Sequence, residues 1–169
     1  WQSRFSYEHP EFTVVNRTGR RRQWGVLCLA EPAVRAHFIN RFYDFIKPTD
    51  FDGLFLCLRS QSKPADKGDQ FGFNRLVREE FLRRHGVDIR CEPFDLDAWR
   101  TLRGNYLTLL LRELRFRLNQ AGRRLAVGAP RGDVIGPPIG NMALPWRTWV
   151  RDHLVDELID VHVEFSLKI

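Results

Sequence analysis

The alternation of apolar and polar positions over residues 24–60 predicts a strand, a helix and a second strand. An apolar run from Trp24 to Leu29 meets Glu31-Pro32, a pair that is typical of a helix start. A second apolar run extends from Leu54 to Leu58. The helix between these runs carries its large apolar residues on one stripe: Val34, Phe38, Phe42 and either Phe45 or Ile46. Two apolar strands joined by one helix form a βαβ unit, so the pattern predicts a parallel sheet covered by helices.

The rest of the chain continues this alternation. Residues 1–22 have the pattern of an irregular or hairpin-like lead-in, with a short strand around Phe12 to Asn16 and a Thr18-Gly19 turn. The later elements are, in chain order, a short helix over 73–85, a long helix from a cap at Asp95 or Asp97 to about Gln120, a strand over 125–130, a short helix over 146–153 and a strand over 159–165. The long helix has a stripe that we expect to pack on the sheet, formed by Trp99, Leu102, Tyr106, Leu110, Leu114 and Leu118.

Four of the predicted strands should run parallel, linked by helical crossovers. They lie near 24–29, 53–58, 124–129 and 159–164. Such an α/β arrangement is either a small open sheet or about half of a (β/α)8 barrel, which needs about 250 residues when complete. The 169 residues are enough for one domain with its own core.

Polar residues follow the predicted strands at their carboxyl ends, where parallel α/β sheets carry their chemistry. Glu31 follows the first strand, and Arg59 and Ser60 follow the second. A polar loop over 59–72 adds Asp69 and Gln70. A second loop, over 131–141, begins with Arg131-Gly132-Asp133. These loops are the candidate functional segments.

Charge, cysteine spacing and histidine spacing bear on whether the chain binds nucleic acid, forms disulfides or holds a metal. The formal net charge is +6, and RTGRRR over 17–22 is the one dense basic cluster, either a solvated hairpin or a nucleic-acid patch. The cysteines are odd in number and show no CxxC spacing, so we expect Cys28 and Cys57 to be buried, unbridged thiols. The histidines lack metal-ligand spacing, and no apolar run of about 18 residues exists, so neither a metal, a cofactor nor a membrane span is expected. The compartment and the oligomeric state stay open.

Six short motifs stand in an order that is found in one group of barrels. They are HPEF over 9–12, AEPAVR over 30–35, DGLFLC over 52–57, FLRRHGV over 81–87, WRTLRG over 99–104, and WRTW followed by LVD over 146–156. On these motifs the chain resembles the glycosyl-hydrolase-like family 10 and related (β/α)8-barrel proteins. The resemblance implies a partial barrel, about strands three to six, in a fragment of a longer protein that acts on or binds a carbohydrate.

Glycoside hydrolysis needs two carboxyl groups that face one sugar. Asp160, His162 and Glu164 alternate along the last predicted strand, and we expect their shared polar face to look into the barrel. Glu164 and Asp69 are the catalytic candidates, and we expect both to converge with Arg59 on one cleft. The candidates for binding the substrate are Arg59, Ser60, Gln70, Asp133 and Glu31.

Each of these residues also has a purely structural alternative. Glu31 could cap a helix, Asp69 and Gln70 could belong to a solvated loop, and Arg59 could form an ion pair. The family also places an Asp where this chain has Cys57. A neutral thiol cannot serve as a catalytic carboxylate, so a non-catalytic carbohydrate-binding relative is a second hypothesis. A basic nucleic-acid-binding module is a third and rests on charge alone.

Overall fold

The structure is a computed structural model that describes residues 3–58, 68–129, 134–135 and 142–160. Its helices are α1 (Arg4–Glu8), α2 (Pro32–Ile46), α3 (Arg75–His85), α4 (Leu96–Asn119) and α5 (Trp146–Arg151), with single 3-10 turns at Pro10–Phe12 and Gly68–Gln70. Its strands are β1 (Thr13–Val15), β2 (Arg22–Leu27), β3 (Gly53–Cys57), β4 (Arg124–Ala129), β5 (Val134–Ile135), β6 (Met142–Ala143) and β7 (Glu157–Asp160).

Three of the four predicted parallel strands form one sheet in the order β3-β4-β7. Across the middle of this sheet, Leu56 of β3 is paired with Val127 of β4, and Val127 is paired with Leu158 of β7. Helices flank this sheet, so the mixed α/β class and the parallel pairing are confirmed. The sheet is small, and the described part of the chain shows three parallel strands rather than a closed barrel.

The first predicted strand does not join this sheet. Instead β2 pairs antiparallel with β1, across a turn in which Gly19 has a positive φ of 74°. The prediction of four parallel strands was therefore wrong for β2. The short strand expected around Phe12 to Asn16 is present as β1, and it supplies β2 with backbone partners in a local hairpin.

Helices cover one face of the parallel sheet, and the other face is exposed. Leu54, Leu125 and Val127 point to the helix-covered face and are buried. On the opposite face Phe55 and Ile159 are 51% and 41% exposed. Parallel sheets normally have both faces covered, whereas no described element covers this one.

This open face corrects two sequence-based expectations. Cys57 follows Phe55 by two residues, lies on the open face, and is exposed rather than buried. In β7, Ile159 is paired with Gly128, which lies on the open face, so Ile159 lies on that face too. Because side chains alternate along a strand, Asp160 lies with Leu158 on the covered face. Asp160 therefore does not look into the open side, as the predicted polar face required.

Helix α4 begins at the predicted cap, because the Asp95 side chain accepts hydrogen bonds from the backbone of Asp97 and Ala98. Its packing differs from the prediction. The first third of its stripe, Trp99 and Leu102, joins a second core formed with Val14, Cys28, Phe73, Val77, Phe81 and Ile89. Only the later residues, Leu110, Leu114 and Leu118, pack with the parallel sheet. The helix thus links two cores, and Tyr106 contacts both.

Candidate functional site

The structure describes three of the seven predicted site residues: Glu31, Asp69 and Gln70. The other four, Glu164, Arg59, Ser60 and Asp133, lie outside the described residues. Convergence of Arg59, Asp69 and Glu164 on one cleft therefore stays a prediction. The site can be built from the described residues around Asp69 and around the carboxyl end of β2.

Asp69 lies in the 3-10 turn Gly68–Gln70 and binds Arg100 near the start of α4. Arg100 Nη2 lies 2.7 Å from one carboxylate oxygen, and Nε lies 3.2 Å from the other. Arg100 also contacts Asp97, at 3.2 Å from Nη1. A two-point contact between a guanidinium and a carboxylate fixes the orientation of both groups. Asp69 is thus a positioned hydrogen-bond acceptor, and a solvated loop does not describe it.

Gln70 follows Asp69 and is exposed. The next residues tie this turn to β1, because Phe71 bridges to Asn16 and the backbone nitrogens of Gly72 and Phe73 both donate to Val15 O. The turn is therefore anchored on the protein, with Gln70 exposed next to Asp69 in the chain.

Arg103 lies one helical turn beyond Arg100 and was not among the predicted site residues. It is only 5% exposed, and its guanidinium lies over the Trp99 ring at 4.5 Å. Burial lowers the pKa of Arg103 to about 10, against the opposing effect of the Cys28 and Asp69 charges. Arg100 and Arg103 interrupt an apolar stripe at a spacing of three, which is the sequence signal that could have found them.

Gly72 makes room for the buried Arg103. A Cβ at position 72 would lie 2.6 Å from Arg103 Nε, and the backbone has a positive φ of 112°. A small cavity beside them is lined by Cys28, Leu29, Ala30, Gly72, Arg103 and Tyr106, among others. Its volume of about 20 Å³ is the space of roughly one water, so a sugar ring does not fit inside it. A larger ligand would have to bind at the surface.

Glu31 stands at the N-cap position of α2, yet its side chain makes no cap hydrogen bond with the described residues. Partial burial raises the pKa of the Glu31 carboxyl, and the Arg75 cation opposes the rise. Glu31 is thus the N-cap residue of α2, as its structural alternative expected, but its side chain does not form the cap hydrogen bond. A carboxyl group with a raised pKa suits a proton donor.

Other polar residues of the motifs hold the fold. Arg35 is buried, donates from Nη1 to Leu29 O at 2.8 Å and to Ala30 O at 3.1 Å, and binds Glu113 of α4 through Nε. Asp156 accepts hydrogen bonds from Arg115 and from the backbone nitrogen of Leu125, the latter at 2.7 Å. Arg35 fixes the carboxyl end of β2, and Asp156 joins the start of β7 to β4 and α4.

The described residues thus provide a positioned acceptor and an exposed amide in the Asp69 turn, two arginines on α4, and a partly buried carboxyl group after β2. Cys28 lines the small cavity together with Gly72 and Arg103. Burial keeps the Cys28 thiol inert by raising its pKa to about 11.

Comparisons with protein-family models, with curated proteins and with solved structures found no match to this chain. In the described ranges, no helix combines the length and the apolar character needed to cross a bilayer. The same ranges contain no group of three or more His, Cys, Asp or Glu residues that could hold a metal ion.

Proposed function

We propose that the chain is a glycoside-hydrolase-like domain of the (β/α)8-barrel type that binds a carbohydrate and acts on its glycosidic bond. The observation that carries this proposal is the contrast between two carboxyl groups. Asp69 is clamped by a guanidinium, whereas burial raises the pKa of Glu31. Carboxyl groups in opposed environments are what acid and base roles in glycoside hydrolysis require.

The open face of the parallel sheet supports the barrel. In a barrel the helices cover the outside, and the inner face of the sheet receives side chains from the other strands. The central strand presents Arg124, Ala126 and Gly128 to the open face, with the two small residues opposite Phe55 and Ile159. A sheet with one face covered by helices and the other open matches part of such a barrel.

The surroundings of Asp69 support a polar, uncharged ligand such as a sugar. Gln70 offers an exposed amide that can both donate and accept hydrogen bonds. Arg100 offers planar donors beside an acceptor that it already orients. Alternating donors and acceptors on a fixed turn suit hydroxyl groups, each of which can donate and accept.

A non-catalytic carbohydrate-binding protein is the second candidate, favoured by Cys57. Its thiol lies on the open face, at the position where the related barrels carry an Asp. With a thiol there, hydrolysis depends on carboxyl groups outside the sheet, such as Glu31 and Asp69. The two candidates share the same binding edge and differ only in turnover.

The test is an assay of the purified chain on soluble oligosaccharides of glucose, xylose, mannose and N-acetylglucosamine. Calorimetry measures binding, and release of new reducing ends measures hydrolysis. We expect binding of at least one oligosaccharide, and a loss of turnover of about 100-fold or more in Glu31→Gln. Glu157→Gln is the matched control, because this exposed carboxylate pairs with Arg124 at the amino-terminal end of β7. Binding without turnover selects the second candidate, and a chain that binds none of the sugars contradicts both.

A further inference from the structure

Strand β2 contains a bulge that turns Trp24 outward. Thr13 lies opposite Leu27 and Val15 lies opposite Arg22, so β1 advances two residues while β2 advances five. The extra residues of β2 include Trp24 and Gly25, and Gly25 has a positive φ of 82°. A bulge of this kind interrupts pairing and re-aims a side chain, and bulges are enriched beside functional sites.

Trp24 is 61% exposed, which sets it apart from Trp99 and Trp149, both fully buried. A strand with regular pairing would place its apolar residues on the covered face. Here a glycine with a left-handed backbone and a local loss of pairing accompany the exposure of the largest apolar side chain. The loss of strand pairing and the exposure of an indole both reduce stability, which indicates that the indole has a ligand.

The elements around Trp24 offer further groups to a ligand. Helix α1 packs against β2 and carries Tyr7, which is 77% exposed. The hairpin that carries Trp24 is also joined to the segment after the Asp69 turn, since the Asn16 nitrogen donates to Arg21 O at 2.9 Å and Asn16 bridges to Phe71.

The basic cluster at the hairpin offers little to a polynucleotide. Arg17 donates to Glu92 O and lies over the Phe94 ring, and Arg22 donates to Pro10 O at 2.7 Å. Arg20 and Arg21 of this cluster are exposed, and among the described residues only their main chains form hydrogen bonds. A polynucleotide typically engages many more cations, about 6–10 phosphate contacts.

The geometry points to Trp24 as a stacking platform for a sugar ring of the bound glycan, an inference that rests on the proposed function. One face of a pyranose presents C–H groups that can lie on the indole, while the ring hydroxyls at its edge stay hydrated. Tyr7 offers a second ring, with a phenolic hydroxyl, on the adjacent helix.

The experiment uses the same soluble oligosaccharides and compares the wild type with Trp24→Ala and Trp24→Phe. We expect Trp24→Ala to weaken affinity for the bound sugar about tenfold or more, and Trp24→Phe to weaken it less. Phe116→Ala is the matched control, because Phe116 is a similarly exposed aromatic residue on α4, and it should bind like the wild type. Circular dichroism should show all three variants folded, since neither side chain is buried.

A second readout is the tryptophan fluorescence of the wild type, with Trp24→Phe as the control. Sugar binding should protect part of the tryptophan fluorescence of the wild type from acrylamide quenching, and this protection should be missing in Trp24→Phe. Wild-type affinity in Trp24→Ala, or an absence of protection on binding, overturns the role of Trp24 and leaves the proposed function standing. A wild type that binds no sugar overturns both. Salt-sensitive binding of single-stranded DNA that Trp24→Ala abolishes, with no sugar bound, assigns the platform to nucleic acid instead.

Discussion

At the scale of single residues, the Glu31 carboxyl group lowers stability when it is charged, and it is also the proton donor of the proposed function. Its partly buried carboxyl has a raised pKa, so the folded protein binds that proton more tightly than the unfolded chain does. The resulting stabilisation is complete below the unfolded pKa and is lost as pH rises through the folded pKa. A charged Glu31 at neutral pH therefore works against folding.

We predict that Glu31→Gln will gain stability relative to the wild type as pH rises from 4 to 8. The gain should stay below about 1 kcal/mol, because the carboxyl group keeps contact with solvent and with the Arg75 cation. Urea unfolding at several pH values measures it. A difference between the two proteins that does not change with pH would show that Glu31 titrates as a solvated side chain does.

The cysteines give a second test of residue environments. Cys28 is buried with its pKa raised to about 11, whereas Cys57 and Cys91 are exposed, and all three are free of disulfides. We predict that a thiol reagent at pH 8 will label two cysteines rapidly and the third only on unfolding, because the thiolate is the reactive form. Cys57→Ser should remove one rapid site. Rapid labelling of three thiols in the native protein would contradict the burial of Cys28.

At the scale of elements, helix α4 contributes residues to both cores and packs against β4 and β6. Gly104 allows the closest of these approaches, because a Cβ there would lie 1.9 Å from Ala143 O in β6. The helix therefore depends on a glycine at a position where alanine would otherwise favour the helical conformation.

We predict that Gly104→Ala will destabilise the protein by about 1–3 kcal/mol through overpacking, despite its better helix propensity. Asn105→Ala is the control, since Asn105 is exposed on the same helix and should change stability by less than about 0.5 kcal/mol. Thermal or chemical unfolding gives both values. A Gly104→Ala variant as stable as Asn105→Ala would show that β6 does not pack on the helix.

Much of the secondary structure could be predicted from the sequence. The cap at Asp95 and the start of α2 at Pro32 rest on local signals, and the parallel pairing of β3 with β4 was expected from the alternation of strands and helices. The pairing of β2 was not predicted, because its apolar run fits either a parallel strand or a hairpin with β1. The face of Asp160 depends on a partner strand distant in the chain. A period of two shows that residues alternate, but only the neighbouring strands decide which face is covered. Arg103 was missed for a similar reason, since its burial depends on the glycine at position 72.

At the scale of the whole molecule, the parallel sheet has one covered face and one open face. Several arginine side chains bind a described carboxylate or carbonyl group within the protein: Arg17, Arg22, Arg35, Arg78, Arg100 and Arg115. The positive net charge alone therefore does not identify a partner.

The most direct test of the proposed carbohydrate site compares Asp69→Asn with Asp97→Asn. Both carboxylates bind Arg100, but only Asp69 belongs to the proposed site, while Asp97 is 88% exposed in the first turn of α4. The quantity to measure is the cleavage rate of the oligosaccharide that the wild type binds, or its affinity where the chain only binds. The account predicts a loss of about 100-fold in cleavage, or about tenfold in affinity, for Asp69→Asn and wild-type behaviour for Asp97→Asn. A folded Asp69→Asn variant that cleaves and binds the sugar like the wild type would contradict the account.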